Sequence, residues 1–96
     1  MVFEWDSEKE KENYKKHGVR FEAAAQVFFD PLRMERPDAD SAGERRWQTM
    51  GFFGDVLFVV YAERGETTRL ISARPAAPFE RRIYYGDSEV RGWRRV

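Results

Sequence analysis

The stretch Val56-Leu57-Phe58-Val59-Val60-Tyr61 decides the fold, because it is apolar at consecutive rather than alternate positions. Its β-branched and aromatic residues, in a run this short, favour a strand. A strand that is apolar on both faces has to be covered on both sides. We therefore predict a central, buried strand over Val56–Glu63.

Strands are also predicted on both sides of this stretch, over Arg45–Phe52 and Thr67–Arg74. The turns that join them are Gly51–Asp55 and Arg64-Gly65, both of which contain glycine. Consecutive strands connected by such short turns pair in the antiparallel direction. The middle of the chain is thus predicted to form three adjacent antiparallel strands.

A short strand and a helix are predicted before this sheet. Val2–Trp5 carries aromatic residues at alternate positions, which is typical of a strand. Asp6 and Ser7 are both suitable N-cap residues for the helix that follows. That helix is predicted to run to about His17, since Gly18 can adopt the left-handed conformation that ends helices.

The remaining elements complete an α+β fold. A second helix is predicted over Phe21–Phe29, ending at Asp30-Pro31 because the residue before a proline avoids the helical region. Leu32–Glu35 is predicted to form a strand, and Pro78 is suited to the first turn of a third helix. From Gly86 onward the sequence is predicted to be a polar tail.

Length and composition restrict the classes of protein that this chain can represent. Its 96 residues fit one domain, which we place at residues 1–85, with the tail at 86–96. The absence of cysteine excludes disulfides and thiolate metal sites, and it fits a reducing cytoplasm. The longest apolar run, Val56–Ala62, is far shorter than the roughly 20 residues of a membrane helix. We expect a cytoplasmic protein that does not associate with membranes.

The net charge of zero conceals an uneven distribution. Residues 1–43 hold ten acidic and seven basic residues, whereas residues 44–96 hold seven acidic and ten basic residues, all of them arginine. The planar arginine fork matches phosphate geometry, so a local phosphate site is one interpretation. A solvated surface encoded by an arginine-preferring genome is the other. Overall neutrality disfavours a strong general nucleic-acid binder.

One candidate group lies on the first helix, where Lys9, Asn13 and His17 are spaced four residues apart and so share one face. This stripe either contacts a ligand or simply faces water. His17 is the only histidine, and its place in the last turn also suits a structural interaction with the helix dipole. A single histidine without cysteines cannot make a zinc site, so we expect no metal and no cofactor.

The second candidate group surrounds the last strand and the third helix. Arg74 closes the strand beside a helix start, where anions are favoured. Glu80 is at position N3 if Ala77 is the N-cap, so it is suited either to capping or to proton transfer. The full group is Arg64, Arg69, Arg74, Glu80, Arg81 and Arg82.

RNA cleavage without a metal requires residue types that this chain contains. A base removes the 2′-OH proton, the oxygen attacks the adjacent phosphate, and cations stabilise the developing charge. Arginines can supply the charge, and a glutamate or histidine can move the proton. Trp47, Tyr84 and Trp93 are the aromatic residues most expected to be exposed for base stacking, although aromatic residues more often belong to a core.

Two motifs together resemble the BrnT family of bacterial toxins: Trp5-Asp6-x-x-Lys9-x-x-x-Asn13-x-x-Lys16-His17-Gly18 and Ile71-Ser72-Ala73-Arg74-Pro75-Ala76. Intermediate pieces, Val59-Val60-Tyr61-x-Glu63-Arg64 and Glu80-Arg81-x-x-Tyr84, continue the resemblance in the same order. The likeness covers roughly residues 3 to 85. No single piece is specific, but the ordered series is.

The resemblance implies a RelE-like fold, with a small antiparallel sheet, two helices before it and one after. It also implies endoribonuclease activity, and our leading hypothesis is a metal-independent endoribonuclease that inhibits growth or translation. The implied partner is a BrnA-like antitoxin, which we expect to be a dimeric ribbon-helix-helix protein. The family's active-site region maps to Arg64, Arg74, Glu80 and Arg81. As RNA-binding residues we add Arg69, Arg82, Lys9 and His17.

The chain departs from the family pattern at Ala77, Pro78 and Phe79, where relatives often carry a hydroxyl and further basic residues. This departure supports an alternative, a non-catalytic BrnT-like binding module that retains only the interaction with its antitoxin. A DNA-binding domain is a third possibility, but the sequence contains no recognition helix with exposed basic residues.

Overall fold

A computed structural model describes residues 1–39, 43–86 and 92–96 of the chain. Within these ranges six strands and three α-helices are formed. In chain order they are β1 (Val2–Glu4), α1 (Ser7–His17), α2 (Phe21–Gln26), β2 (Met34–Pro37), β3 (Arg46–Phe53), β4 (Asp55–Arg64), β5 (Thr67–Pro75), α3 (Pro78–Tyr84) and β6 (Arg94–Arg95). None of the described helices is long and apolar enough to span a membrane.

All six strands form one sheet in the order β1-β5-β4-β3-β2-β6. The three predicted long strands lie in its middle, and β4 is buried by residues on both faces, as its apolar sequence requires. The sheet is mixed, however, and the prediction of a purely antiparallel sheet was wrong. β1 pairs with β5 in the parallel direction. The intervening helices and strands act as the crossover that a parallel pair needs.

The two N-terminal helices cover one face of the sheet. Phe21 is fully buried there against the inward side chains of β4 and β5, among them Val59 and Ala73. Asn13 fastens α1 to β5, because its side-chain amide donates to the Ala73 carbonyl at 2.8 Å and its oxygen accepts from the Ala73 N–H at 3.1 Å. Of the two interpretations of the polar stripe, neither holds for Asn13, which is buried against the sheet.

The helix ends follow local chemistry. Asp6 rather than Ser7 is the N-cap of α1, and its carboxylate accepts from the N–H groups of Glu8 and Lys9. Gly18 ends the helix with φ +70°, as expected. The second helix is shorter than predicted, because its last three residues, 27–29, form a 3-10 turn that tightens the chain before Asp30-Pro31.

The opposite face of the sheet is covered at one end only. Ile83 and Tyr84 of α3 pack there with Met50, Val56 and Phe58 of the central strands. The hydroxyl of Tyr84 donates to the Asp30 carboxylate, which also accepts from the Phe52 N–H at 2.7 Å. Since Tyr84 is only 4% exposed, it belongs to the core, and its expected exposure was wrong.

The residues after α3 return to the sheet. Residues 94–95 pair with β2 as the edge strand β6, and Trp93 packs against Phe58 with ring centroids 6.0 Å apart. Trp93 is 9% exposed, so its expected exposure was also wrong. Trp47 is half-buried against the helix-covered core, and its indole N–H is buried without a partner among the described residues. The division of the chain at residue 86 stays a prediction.

Candidate functional site

The part of the sheet that α3 leaves uncovered is rich in arginine. Side chains directly opposite one another on paired strands share a face, and the register places Arg46, Ala62 and Arg69 in one row and Phe58 and Arg74 in another. Both rows lie on the face opposite α1 and α2. We call this surface the arginine face, and its cations are Arg36, Arg46, Arg64, Arg69 and Arg74.

Arg74 is the most firmly held of these cations. Its Nη1 and Nη2 groups donate to the two carboxylate oxygens of Glu80 at 2.7 and 2.9 Å. Its guanidinium also lies 4.2 Å from the centroid of the Phe58 ring. Glu80 is 5% exposed, whereas the Arg74 side chain is 36% exposed. The buried carboxylate therefore fixes a guanidinium that solutes can still reach.

One edge of the Arg74 guanidinium stays open. An arginine has five N–H groups; Glu80 receives two of them and the Pro75 carbonyl a third, at 3.3 Å from Nη1. The Nε–H and the second Nη2–H have no acceptor among the described residues. These two groups lie on the same side of the planar fork, so they can bind a phosphate through two parallel hydrogen bonds.

The sequence left two roles open for Glu80, capping of α3 and proton transfer, and the structure favours capping. It caps α3, because its carboxylate accepts from the Ala77 N–H at 2.7 Å. Burial would raise the pKa of Glu80, but the hydrogen bonds from Arg74 and from the Ala77 N–H outweigh it and hold the pKa below its usual value. An ionised carboxylate whose oxygens are both engaged is suited to positioning Arg74 rather than to accepting a substrate proton.

Arg81 is held in a different way, by the first residue of β4. Its two Nη groups donate to the carboxylate of Asp55 at 2.6 and 3.0 Å. Hydrogen bonds from Arg81 hold the pKa of Asp55 below its ordinary value despite some desolvation. Arg82, the next residue, is exposed on α3. The structure thus brings Arg74, Glu80 and Arg81 to the same end of the sheet.

Arg64 lies at the other end of the arginine face. It is six residues along β4 from Phe58, which corresponds to about 20 Å of strand. There it shares Glu44 with Arg46, at 3.5 and 3.1 Å respectively. Arg64 is therefore not part of the same cluster as Arg74.

A small recess lies between Arg46, Arg64 and Arg69. Its volume is about 150 Å³. The charged side chains that line it are Asp6, Lys9, Glu44, Arg46, Arg64 and Arg69. We call it the basic recess, after its four cations Lys9, Arg46, Arg64 and Arg69. Three of the residues that were predicted separately, on a helix and on two strands, meet here.

His17 is not near this recess. It is exposed at the end of α1, eight residues and so about 12 Å along the helix from Lys9. Buried Asn13 separates the two. The spacing of four residues correctly placed the three side chains on one face, but that face contacts the sheet at its middle.

Sequence reasoning missed Arg36, Arg46 and Asp55. Arg36 donates to the Gln48 side chain at 2.7 Å and stacks over the Trp93 ring at 4.6 Å, and it contributes to the lowered pKa of Glu80. Alternation within β3 could have identified Arg46 as facing the same side as Gln48. No sequence signal pairs Asp55 with Arg81, since 26 residues separate them.

Within the described ranges, no three histidine, cysteine or acidic side chains converge in a way that could hold a metal ion. The absence of a metal or cofactor requirement stays a prediction.

Comparison with known proteins identifies the family. The family model described as "Ribonuclease toxin, BrnT, of type II toxin-antitoxin system" matches residues 5–80. The crystal structure of the Brucella abortus ribonuclease toxin BrnT is similar to this chain, with a TM-score of 0.61 and 24% identity, over 80% of this chain and 99% of that one. At this identity the likeness shows the fold. The search of curated proteins found no match. The family match spans most of the sequence, and this chain belongs to the BrnT ribonuclease toxins of type II toxin–antitoxin systems.

Proposed function

We propose that this chain is an endoribonuclease toxin that cleaves RNA without a metal ion and thereby inhibits growth. A base takes the proton of a ribose 2′-OH, and the oxygen attacks the adjacent phosphorus. The bond from phosphorus to the 5′ oxygen breaks, and that oxygen receives a proton. The products are a 2′,3′-cyclic phosphate and a free 5′-OH. Because its substrate is cellular RNA, the toxin acts in the cytoplasm.

The observation that carries this proposal is the fixed, half-exposed guanidinium of Arg74. Glu80 and Phe58 hold it in place before substrate arrives, and its open edge has the geometry of a phosphate ligand. A cation that is already oriented stabilises the charge that develops on phosphoryl oxygens without reorganising. In this scheme Arg74 contacts the scissile phosphate, and Glu80 positions it.

The other predicted residues take supporting roles in the proposal. Arg81, oriented by Asp55, and the exposed Arg82 contribute positive potential beside Arg74. His17 contacts RNA at the rim of the site, since it is exposed at the end of α1. We also infer a RelE-like architecture, because two helices cover one face of a largely antiparallel sheet and a short helix follows its last long strand.

The test is cleavage of a defined RNA by the purified protein, with and without excess EDTA. We expect EDTA-insensitive cleavage that leaves cyclic phosphate and 5′-OH ends, and a loss of at least a hundredfold in Arg74→Ala. Arg20→Ala is a matched control, since Arg20 also lies 4.2 Å from an aromatic ring, that of Tyr14, but on α1 and its flank. Equal activity of folded Arg74→Ala and wild type would exclude the assigned role of Arg74.

The family implies an antitoxin as partner, because type II systems pair a toxin with a protein inhibitor. We infer that this partner is BrnA-like, a dimeric ribbon-helix-helix protein that binds two toxin copies. An exposed apolar patch supports a docking site beside Arg81. Exposed apolar patches of this kind mark protein interfaces. The residues of the patch are Leu32, Phe52 and Tyr85.

Contacts with Asp30 bring Leu32, Phe52 and Tyr85 into one region of the surface. The Asp30 carboxylate accepts from the N–H groups of Leu32 and Phe52, and it also binds the hydroxyl of Tyr84, whose ring is 5.1 Å from that of Tyr85. Burying this patch under apolar antitoxin side chains, with a carboxylate directed at Arg81, would block the approach of RNA to the Arg74 end of the sheet.

Co-expression with the product of the neighbouring gene tests this interface. We expect a complex of two toxins and two antitoxins that does not bind RNA. Phe52→Ser combined with Arg81→Glu should weaken the complex by about a hundredfold, since central aromatic and arginine contacts dominate binding energy. Val2→Ser is the control, because Val2 is an exposed apolar residue at the far end of β1. An affinity unchanged by the double substitution would place the antitoxin elsewhere.

A non-catalytic binding module is the alternative function. It is favoured by the start of α3, where Ala77, Pro78 and Phe79 supply neither a hydroxyl nor a basic side chain beside Arg74. A protein that binds its antitoxin tightly but leaves RNA intact would establish this alternative.

A further inference from the structure

We propose that the basic recess formed by Lys9, Arg46, Arg64 and Arg69 is a second phosphate-binding subsite, which holds the RNA backbone away from the cleaved bond. This inference rests on the proposed function, because it assumes that Arg74 binds the scissile phosphate. It assigns the recess to substrate binding rather than to the chemical step.

The recess lies where cations of β3, β4 and β5 approach the start of α1, which contributes Asp6 and Lys9. Arg46 and Arg69 lie directly opposite Ala62 on the strands to either side of it, so all three share the arginine face. Adjacent strands are about 4.8 Å apart, which places the two arginine backbones roughly 10 Å from each other. Ala62 itself is fully buried, and the recess is lined by the charged side chains around it. Arg64, two residues further along β4, closes one side of it.

The charge balance of the recess favours an anion. Its four cations are balanced by two lining carboxylates, those of Asp6 and Glu44, and by Glu4, which lies 3.5 Å from Arg69. Glu44 is shared between Arg46 and Arg64, while an oxygen of Asp6 is occupied by the backbone N–H groups of Glu8 and Lys9. Each cation is thus only partly neutralised. A volume of about 150 Å³ corresponds to roughly five water molecules, which suffices for a phosphate group.

The distance from Arg74 identifies the ligand as a polymer. Phe58, whose ring contacts the Arg74 guanidinium, is four residues along β4 from Ala62 and six from Arg64. These separations correspond to about 13 and 20 Å. Val60 and Ser72 form the half-buried floor between the two positions. A mononucleotide cannot reach both sites, whereas a single-stranded RNA of several nucleotides can lie along the uncovered face.

Substrates of two lengths separate this subsite from the reaction itself. A dinucleoside monophosphate contains one phosphate and can occupy only the Arg74 site, whereas a 12-nucleotide RNA can occupy both. The test variant is Arg64→Gln with Arg69→Gln, which removes two charges but retains side-chain length. The control is Lys15→Gln with Arg20→Gln, which removes two charges from α1 and its flank.

We expect the test variant to bind the 12-nucleotide RNA at least tenfold more weakly than wild type does. Its slope of log affinity against log salt should be smaller by about 1.4, since each contact to a single strand contributes roughly 0.7. Cleavage of the dinucleotide should stay within twofold of wild type. The control should change none of these quantities, and the thermal unfolding midpoints of both variants verify that they fold.

The possible results distinguish this inference from the proposed function. Salt-dependent binding that falls in the test variant, with no cleavage by any protein, would support the subsite and contradict the ribonuclease mechanism. Arg74-dependent cleavage with unchanged binding of the long RNA would overturn the subsite alone. An equal loss of dinucleotide and long-RNA cleavage would also overturn it, because Arg64 and Arg69 would then act at the scissile phosphate.

Discussion

At the scale of single residues, the site depends on one buried carboxylate. Glu80 accepts hydrogen bonds from Arg74 and from the Ala77 N–H, so one side chain orients both the cation and the start of α3. Buried ion pairs contribute little net stability over apolar packing, but removing one partner is costly because the other charge is left unpaired. The pair therefore serves to fix a geometry.

This arrangement predicts the behaviour of Glu80→Gln. The amide preserves the shape of the carboxylate but removes its charge and one acceptor, so Arg74 should lose its fixed orientation. We expect kcat to fall at least tenfold with little change in KM, together with a stability loss of about 1–3 kcal/mol. Steady-state cleavage and urea unfolding measure these two quantities. Glu80→Asp, which keeps the charge, should recover part of kcat; no recovery would indicate a purely structural role.

At the scale of elements, the three central strands and the first helix could be predicted because their signals are local. β3, β4 and β5 each differ by one or two residues at their ends from the prediction, and Gly18 ends α1 as expected. The parallel pairing of β1 could not be predicted, since three residues do not specify a partner more than sixty positions away.

In the candidate site, too, contacts could be predicted only between residues that are close in sequence. Arg74 and Glu80 are close in sequence and were correctly associated, whereas the burial of Asn13 and Trp93 depends on contacts between distant elements. A polar amide on a helix and an aromatic residue between arginines both resemble surface residues until the sheet that covers them is known. Side chains that join distant elements therefore escaped local reasoning.

The C-terminal strand leads to a second prediction. The Trp93 ring packs edge-on against the Phe58 ring, and the Arg74 guanidinium lies over the Phe58 ring. Trp93→Ala should cost about 3–5 kcal/mol, as is usual for a buried tryptophan, and it should lower cleavage because Phe58 gains space to move. Denaturant unfolding and cleavage assays test this expectation. Trp93→Phe should restore most of the stability, and wild-type stability of Trp93→Ala would show that the strand is dispensable.

At the scale of the whole molecule, carboxylates are stabilised by hydrogen bonds, some from arginine side chains and some from backbone N–H groups. Hydrogen bonds hold the pKa values of several carboxyl groups below their ordinary values, against whatever desolvation they experience. These groups are Asp6, Asp30, Glu44, Asp55 and Glu80. Burial, by contrast, raises the pKa of Tyr61 to about 12.

The pH dependence of stability follows from these directions. A lowered carboxyl pKa stabilises the fold above the unfolded value near 4, and this contribution is lost as the pH falls through the folded value. A raised tyrosine pKa stabilises the fold below about 10, and that contribution is lost as the pH rises toward 12. We expect a stability plateau between about pH 5 and 9 in urea unfolding. A maximum confined to acidic pH would contradict this balance.

The parallel pairing of β1 with β5 has a consequence for the timing of toxicity during synthesis. Val2 cannot meet Thr67, and Asn13 cannot meet Ala73, until the ribosome has translated most of the chain. At 5–20 residues per second, the nascent chain spends several seconds without its N-terminal edge in place. Arg74 and Glu80 are translated later still. We therefore expect the nascent chain to be harmless until it is nearly complete. An antitoxin already present in the cell can then bind the toxin as soon as its folded form appears.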